Sequence, residues 1–334
     1  MVRAIYSDRT FIVADSGVVS ESRRQRNGIS QGCPLSPFLF SIVMTVILHD
    51  ARASLGGQST QKLTELVYAD DTLLIGSDDV SLQTIMMTIG QVGSEYGLSY
   101  NWKKLEALPV RTSAEIRKPD GSLVATKPSM LYLGSGLSAD GRNGSEINRR
   151  LGTAKSDFSK LCKVWAHSNI SRDRKMCIFN ACVVSALSYG LVTMVFTKAE
   201  QRRIDGFQCR CLRKILGIAP AYWRRVPNTT VLQIACQLPL TDTLRKERMI
   251  YMGHIARRSY NDCVRNVVFE DGSTNIRSTD AKRPRGRPRR KWTDEVMRDC
   301  LTTAGSQRAL HDFFQATPAA TAAWRRAVQG GCGS

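Results

Sequence analysis

Two adjacent carboxylates, Asp70 and Asp71, have the clearest chemical potential in this chain of 334 residues. Apolar runs flank them at 63–68 and 72–75. Such runs predict two strands joined by a tight turn that carries both acids. Paired carboxylates held rigidly at the tip of a buried hairpin can bind a divalent cation. An ordinary polar turn uses the same residue types, so the pair alone leaves both interpretations open.

A second motif, GISQGCPLSP at residues 28–37, lies upstream of the two acids. Its two glycines let the backbone approach a ligand closely, and Gln31 offers an amide for hydrogen bonding. Ser36-Pro37 predicts a helix start, with a hydroxyl cap and a proline at the first helical position. An apolar helix is then expected from Phe38 to about Leu48.

The loop, the helix and the acidic hairpin, in this order, resemble the substrate-binding loop and the metal-binding turn of a reverse transcriptase. Two further motifs follow in that family's order, YGLSYNWKKLE at 96–106 and LYLGS at 131–135. They resemble the family's next palm motif and its primer-grip turn. Four motifs in one order make a specific signal, which favours a polymerase over an ordinary turn.

The resemblance implies a role for each matching residue. It implies that Asp70 and Asp71 hold Mg²⁺ or Mn²⁺ ions that activate a 3′-hydroxyl and stabilise the leaving oxygen. It also implies that a lysine at the position of Lys104 protonates or neutralises departing pyrophosphate, a role that fits a partly desolvated ammonium. Contacts with the incoming nucleotide or the template are implied for Gln31, Gly32 and Tyr68.

Later patterns resemble one branch of the family, the non-LTR (LINE-type) retrotransposon polymerases. They are INRRLGTA at 147–154, LSYG at 187–190, RCLRKILG at 210–217, MGHIAR at 252–257 and GRPRRKW at 286–292. The resemblance covers roughly residues 1–300. It implies an RNA-directed DNA polymerase, a nucleotidyltransferase whose partners are an RNA template, a DNA primer or target, and deoxynucleoside triphosphates.

The departure from the family lies upstream of Gly28. The family's third aspartate sits on a palm strand that a helix separates from this loop, whereas residues 10–20 here predict a hairpin. Asp8 and Asp15 are therefore poor substitutes for the third ligand. We expect a fragment that lacks the fingers and the first metal-binding Asp, and that is inactive by itself. The alternative is a non-catalytic nucleic-acid-binding remnant that acts through its basic carboxy-terminal half.

Charge is distributed unevenly along the chain. The formal net charge is +19, with −1 on residues 1–140 and +20 on residues 141–334. A strongly basic half suits a polyanion such as nucleic acid, because each neutralised phosphate releases condensed counterions. The amino terminus has no apolar segment behind a basic start, so no secretory signal is visible. We expect the nucleus or the cytoplasm, no secretion and no membrane partner.

One uncharged stretch of twenty residues, Cys177 to Phe196, is long enough to cross a bilayer. Its polar residues favour a buried thumb helix instead. The ten cysteines show no disulfide framework and are expected to be reduced, mostly core thiols. A zinc site is a weaker alternative, since the spacings match no compact metal module. Its ligands would come from Cys209, Cys211, Cys236, His254 and Cys263.

Seven of the ten residues at 282–291 are basic. The core RGRP at 285–288 resembles an AT-hook, in which an extended Arg-Gly-Arg lies in a narrow minor groove. A nuclear transport signal and a solvated linker use the same residue types. The candidates for nucleic-acid contact are Arg285, Arg287, Arg289, Arg290 and Lys291.

These markers together predict an α+β fold. Residues 1–140 should form a truncated polymerase palm, an antiparallel sheet backed by helices, with one helix at 81–96 and a loop or small hairpin at 109–128. Residues 141–270 should form a mainly α-helical thumb and connection region. A basic linker at 271–293 and a short helical tail at 294–334, of one or two helices, would complete the chain.

Overall fold

The computed structural model describes residues 2–25, 27–56, 64–278 and 290–330. The chain divides into two compact units, Met1–Leu133 and Gly134–Ser334, which are called the first and the second unit below. The first unit combines helices with short strands, and the second is mainly helical. This composition confirms the α+β class.

The first unit contains three helices and nine strands in its described residues. The helices are α1 Val2–Tyr6, α2 Ser36–Ser54 and α3 Asp79–Glu95. The strands are β1 Thr10–Phe11, β2 Ala14–Asp15, β3 Val18–Val19, β4 Arg23–Arg24, β5 Thr64–Tyr68, β6 Asp71–Ile75, β7 Glu106–Ala107, β8 Ala125–Thr126 and β9 Ser129–Tyr132.

The expected hairpin upstream of Gly28 is confirmed. Strand β2 pairs antiparallel with β3, and β1 pairs antiparallel with β4. The turn at Ser16 and Gly17 has positive φ angles of 49° and 84°, the geometry that joins two strands tightly. All four strands are exposed.

Helix α2 is longer than expected, and its start is built differently. It runs from Ser36 to Ser54, beyond the limit at Leu48. Its N-cap is Leu35, whose side chain makes no capping bond, so the predicted Ser36 cap is wrong. The Ser36 hydroxyl instead donates to the Ser30 carbonyl at 2.7 Å and ties the helix start to the preceding loop.

The core of the first unit lies between α2 and α3. Ile47 and Ala51 of α2 pack with buried residues of α3, among them Ile85 and Ile89. The predicted helix at 81–96 is thus confirmed as α3. The prediction of a single antiparallel sheet is wrong. In the described part of this unit the strands pair only two at a time, and β7 and β8 are parallel.

The segment 109–128 forms the small hairpin that the Asp120-Gly121 turn predicted. Arg117 and Leu123 make an antiparallel bridge, and Gly121 has a φ of 81°. Ile116 and Val124 on either side of the bridge are buried against Met86 of α3.

The second unit begins with strand β10 Ser135–Ser138. Its α-helices are α4 Gly144–Lys160, α5 Cys162–Ala166, α6 Arg172–Ile178, α7 Ser185–Ser188, α8 Lys198–Leu216, α9 Asn228–Ile234, α10 Leu240–Ala256, α11 Cys263–Val268, α12 Trp292–Ala304, α13 Gln307–Phe313 and α14 Pro318–Gly330.

The uncharged stretch at 177–196 is only partly buried and is not one helix, so the expected buried thumb helix is wrong. After α6 it continues as a π-helical segment, Phe179–Val184, then as α7, and then as a 3₁₀ turn, Leu191–Thr193. Phe179, Leu187 and Phe196 are at most 1% exposed. Within the described ranges, no helix has the length and apolar character needed to span a membrane.

The start, the end and the two faces of helix α8 all follow from its sequence, and one face is a candidate binding surface. Thr197 and Glu200 form a reciprocal capping box at its start, and Gly217 ends it in the left-handed conformation. Ile204 and Leu212 on one face are fully buried. The opposite face carries basic residues.

Two apolar cores support the second unit. The larger one joins helices from α4 to the start of α10, with Ile147, Phe179 and Leu212 at its centre. The smaller one joins the end of α10 to α11–α14 and contains Met252 and Trp324. The described carboxy-terminal segment therefore forms three helices, more than the one or two expected, and these helices share a core with α10.

The burial of the cysteines differs from the expectation of mostly core thiols. Of the nine cysteines that the structure describes, Cys209, Cys211 and Cys300 are buried, whereas five are exposed. Burial raises the pKa of Cys211 to about 12, so this thiol stays protonated at neutral pH. The expectation of mostly core thiols is therefore wrong: four of the exposed cysteines lie on solvent-exposed helix positions, and Cys236 lies in the turn after α9.

Candidate active site

The two acids lie at the tip of the predicted hairpin. Strands β5 and β6 pair antiparallel, with Tyr68 opposite Asp71, so that Ala69 and Asp70 form a two-residue turn. Asp71 is the first residue of β6. Ala69 has a φ of 53°, which is unfavourable for a residue with a Cβ. The turn therefore holds strain next to the carboxylates, a common property of functional sites.

The hairpin is not buried as expected. Tyr68 is 66% exposed, Leu66 and Val67 are more than a third exposed, and both acids lie on the surface. Its attachment comes from Leu74, which packs against the cores of the first unit. An ion pair between Glu65 of β5 and Arg52 of α2 adds a second attachment.

Tyr132, in the primer-grip motif, contacts the hairpin directly. Its hydroxyl donates a hydrogen bond to the carbonyl oxygen of Leu66 in β5 at 3.1 Å. Burial raises the pKa of Tyr132, and the negative charge of Asp71 raises it further. Two motifs that are more than sixty residues apart in sequence are therefore brought together in the first unit.

The donor set at the turn fits a hard divalent cation. Asp70 and Asp71 offer carboxylate oxygens, the ligands that Mg²⁺ and Mn²⁺ prefer. Across the described ranges, no group of three or more His, Cys, Asp or Glu side chains is arranged to hold a metal ion. By themselves, the two acids of this turn would supply only part of a ligand set for such an ion.

The Gln-Gly loop has the open backbone that its motif predicted. Gly28 and Gly32 have φ angles of 81° and 86°, and a Cβ at either position would meet nothing within 4 Å. Gln31 is exposed. The Tyr6 hydroxyl lies 3.2 Å from the Ser36 hydroxyl, which anchors the end of this loop against α1.

Lys104 lies in the turn after α3 and is exposed, which differs from the partly desolvated position that we expected. Its backbone N–H donates to the Asn101 carbonyl at 2.9 Å. The start of the same motif is attached to α2, because the Tyr96 hydroxyl donates to Asp50 at 2.7 Å. This bond raises the pKa of Tyr96.

The primer-grip turn has a second support within the second unit. The carbonyl oxygen of Gly134 accepts hydrogen bonds from Arg149 and Arg150 of α4. Both guanidinium groups also donate to the carboxylate of Glu146, which is 3% exposed. Burial alone would raise the pKa of Glu146, but the bonds and charges of the two arginines hold it below its ordinary value.

Tyr189 and Gly190, from the LSYG motif, complete this support. The guanidinium of Arg150 lies over the Tyr189 ring, 4.5 Å from its centroid. Gly190 has a φ of 75°, and a Cβ there would come within 2.5 Å of the Ser135 hydroxyl. This position therefore requires glycine.

A basic groove of about 420 Å³ lies between α4 and α8 in the second unit. Four cationic side chains surround a floor formed by apolar groups of Leu151 and Phe207. Gly152 widens the groove, since nothing lies within 4 Å of where its Cβ would be. The cations are Lys155, Arg202, Arg203 and Arg210.

The basic linker falls mostly outside the described residues, which include Arg290 and Lys291 but not Arg285, Arg287 or Arg289. The Arg290 guanidinium donates to the Phe196 carbonyl at 2.7 Å and pairs with Glu295 at 2.8 Å. Arg290 thus has a structural role whatever else it contacts.

Sequence reasoning missed two parts of this arrangement. No partner was predicted from the sequence for Arg149 and Arg150, whereas Arg150 is 7% exposed and paired. The signal was present, because Glu146 precedes them by three and four residues, the spacing of a helical ion pair. No local pattern indicates the bond from Tyr132 to a backbone carbonyl.

Comparison with known families supports the motif assignment. Residues 2–137 match the family described as reverse transcriptase (RNA-dependent DNA polymerase). This range contains the Gln-Gly loop, the acidic hairpin, the Lys104 turn and the primer-grip turn. This part of the chain is therefore similar to a reverse transcriptase domain.

Similar proteins indicate which kind of reverse transcriptase this chain resembles. An uncharacterised transposon-derived protein of Caenorhabditis elegans is 27% identical over 250 residues, which cover 72% of this chain and 87% of that protein. A retrovirus-related Pol polyprotein from the type-1 retrotransposable element R2 of Popillia japonica is 28% identical over 263 residues. That match covers 73% of this chain but 35% of the polyprotein. The resemblance to non-LTR retrotransposon reverse transcriptases is confirmed.

Proposed function

We propose that this protein is the RNA-directed DNA polymerase domain of a non-LTR retrotransposon, with Asp70 and Asp71 as two of its metal ligands. The supporting observation is the hairpin that presents both carboxylates at a strained two-residue turn. Tyr132 from the primer-grip motif contacts the same hairpin.

Each remaining candidate residue has a role in this proposal. Bound Mg²⁺ or Mn²⁺ would supply activation of the 3′-hydroxyl and stabilisation of the leaving oxygen. Gln31 and Gly32 would contact the incoming deoxynucleoside triphosphate or the template through the open backbone of their loop, and Tyr68 would contact the nucleotide beside the acids. Lys104 would neutralise the departing pyrophosphate from an exposed position.

We also propose that the chain by itself does not polymerise. Two exposed carboxylates compete with water for their cation, so they bind it weakly and do not fix it for in-line attack. A misplacement of about 1 Å can lower a rate by about a hundredfold. The polymerase would then need a further carboxylate in addition to Asp70 and Asp71.

Metal binding tests the ligand assignment directly. Titration with Mn²⁺, followed by electron paramagnetic resonance, should show weak binding that Asp70→Asn and Asp71→Asn each reduce. Asp15→Asn at the exposed N-terminal hairpin is the matched control and should leave binding unchanged. Equal binding by all of these variants would contradict the proposed site.

Primer extension tests the second proposal. The chain should give no template-directed incorporation of deoxynucleotides on a primed RNA in Mg²⁺. Robust extension that Asp70→Ala abolishes would support the active site but would show that the chain is active by itself.

For the nucleic-acid partner, the supporting observation is the basic groove between α4 and α8. Phosphates of the template or primer would be contacted by the cations of this groove and by the linker residues Arg285, Arg287, Arg289 and Lys291. The alternative of a non-catalytic remnant is not favoured by the comparisons, yet it also predicts that these residues bind nucleic acid.

A salt series tests this contact. The affinity for duplex should fall steeply with salt because counterion release drives binding, and the double variant Lys155→Ala, Arg210→Ala should lower the salt slope by about two. An unchanged slope would exclude the groove.

A further inference from the structure

Two aromatic side chains of the second unit, Tyr222 and Trp223, lie almost entirely in water. They are 81% and 75% exposed, the highest values for aromatic residues in the described ranges. Their ring centroids are 5.7 Å apart, with an angle of 64° between the ring planes. The two rings therefore form one exposed aromatic surface.

The loop that carries them, residues 217–227, is anchored at both ends. Ile218 and Val226 pack against the larger core of the second unit. The buried Arg213 donates to the Val226 carbonyl at 2.6 Å and to Asn228 at 2.9 Å. Within the loop, the backbone N–H of Trp223 donates to the Pro220 carbonyl at 3.0 Å. The exposure of the rings is thus built into an anchored loop.

The surroundings of the two rings are strongly basic. Arg224 and Arg225 follow them directly and are exposed. Between Asp205 and Asp242 the sequence contains five basic residues and no acid. A partner for this surface must combine negative charge with flat apolar faces.

We propose that Tyr222 and Trp223 form a stacking platform for unpaired bases of a single-stranded nucleic acid, with Arg224 and Arg225 on its phosphates. Every base has a π face that aromatic rings can stack on, and the phosphates supply the negative charge. In a duplex the base faces are already stacked on one another, so the platform favours single strands. This inference does not rest on the proposed polymerase activity.

Tryptophan fluorescence gives a direct readout. Trp165 and Trp324 are buried, whereas Trp223 is the most exposed of the five tryptophans. Addition of a short oligothymidylate, with EDTA present, should quench the red-shifted emission. Trp223→Phe should remove most of that change, while Val267→Ala, at an exposed position outside the platform, should leave it intact. An undiminished change in Trp223→Phe would overturn the platform.

Affinity separates stacking from charge. Tyr222→Ala and Trp223→Ala should each weaken oligothymidylate binding by about tenfold, whereas Val267→Ala, at a 77% exposed position, should not. The double variant Arg224→Ala, Arg225→Ala should weaken oligothymidylate binding more than the double variant Arg298→Ala, Arg308→Ala does. The latter is the matched control, because it removes two exposed charges on α12 and α13.

An abasic oligomer of equal length retains the phosphates and lacks the π faces. It should bind the native protein about as weakly as oligothymidylate binds the Tyr222→Ala, Trp223→Ala double variant. Equal affinity of the native protein for both oligomers would overturn the platform. A fluorescence change with anionic phospholipid vesicles but not with oligothymidylate would assign the surface to a membrane and also overturn the proposal.

Discussion

The hydroxyl of Tyr132 donates a hydrogen bond to the carbonyl oxygen of Leu66 at 3.1 Å. Leu66 and Tyr68 lie two residues apart in the same strand, and Tyr68 is the last residue before the Ala69-Asp70 turn. The primer-grip motif and the strand that presents the acids are thereby held together by a backbone acceptor. Substitution of the Leu66 side chain would leave this bond in place.

Removing this hydroxyl should destabilise the first unit. Tyr132→Phe deletes one solvent-accessible hydrogen bond and should lower the free energy of unfolding by about 0.5 kcal/mol. Urea denaturation measures the change. Tyr222→Phe is the matched control, because the Tyr222 ring is 81% exposed and water can replace its hydroxyl contacts. Equal effects of the two substitutions would contradict the structural role of Tyr132.

The charge of Asp71 should be visible in the titration of Tyr132. Burial and the nearby carboxylate both raise the pKa of Tyr132. Asp71→Asn should therefore lower that pKa while leaving it above its ordinary value, because the effect of burial remains. Carbon-13 NMR of labelled tyrosine, with the signal assigned through Tyr132→Phe, measures the shift. An unchanged pKa of Tyr132 in Asp71→Asn would show that the two side chains are too far apart for the charge of Asp71 to act on Tyr132.

The strained turn makes a third prediction. Ala69 has a φ of 53°, which glycine adopts without a Cβ penalty. Ala69→Gly should raise the free energy of unfolding by about 0.5–1 kcal/mol despite the greater entropy of the unfolded glycine. Ala322→Gly, at an exposed position inside α14, should lower it by about 1 kcal/mol. A loss of stability in Ala69→Gly would show that the turn is not strained.

The hairpin, helix α3 and the open backbone of the Gln-Gly loop were all predictable from the sequence. Each depends on a local pattern, such as the apolar runs on either side of Asp70 and Asp71 or glycines that permit positive φ at Gly28 and Gly32. The order of the motifs along the chain then predicted the resemblance to reverse transcriptases. Local pattern and motif order thus predicted the similarity that the comparisons confirm.

Burial could not be predicted in the same way. The hairpin at Asp70 was expected to be covered, and Lys104 to be partly desolvated, because both expectations came from the family. Exposure depends on which segments pack over a residue, and that information is not local. The Ser36 cap failed because Leu35 is the N-cap and Ser36 is already the first helical residue, and its hydroxyl donates to the Ser30 carbonyl across the loop.

A pH-dependent prediction follows from Glu146. Its pKa is held below the ordinary value of 4.5, so its contribution to stability is fully present above that value and is lost as the pH falls through its native pKa. Glu146→Gln should lower the free energy of unfolding by about 3 kcal/mol at neutral pH, because it leaves buried arginine charge unpaired. The difference between native and variant proteins should shrink on acidification below pH 4.5.

Urea unfolding at a series of pH values measures this difference. Glu270→Gln is the control, because Glu270 is exposed. The same cost of Glu146→Gln at neutral and at strongly acidic pH would assign its effect to side-chain shape instead of charge.

The two glycines at 152 and 253, each inside a helix and each within a motif of the second unit, should respond oppositely to alanine. A Cβ at Gly253 in α10 would lie 2.7 Å from two ring atoms of Trp324, and the indole N–H of Trp324 already donates to the Met249 carbonyl at 2.9 Å. Overpacking there should outweigh the better helix propensity of alanine and cost about 1–2 kcal/mol net.

At Gly152 in α4 a Cβ would meet nothing within 4 Å, so Gly152→Ala should stabilise the protein by up to about 1 kcal/mol. Thermal and urea unfolding compare the two substitutions. Trp324→Phe offers a further check, because a smaller ring should reduce the penalty of Gly253→Ala in the double variant. The same penalty in both backgrounds would mean that contact with the Trp324 ring is not what requires glycine at 253.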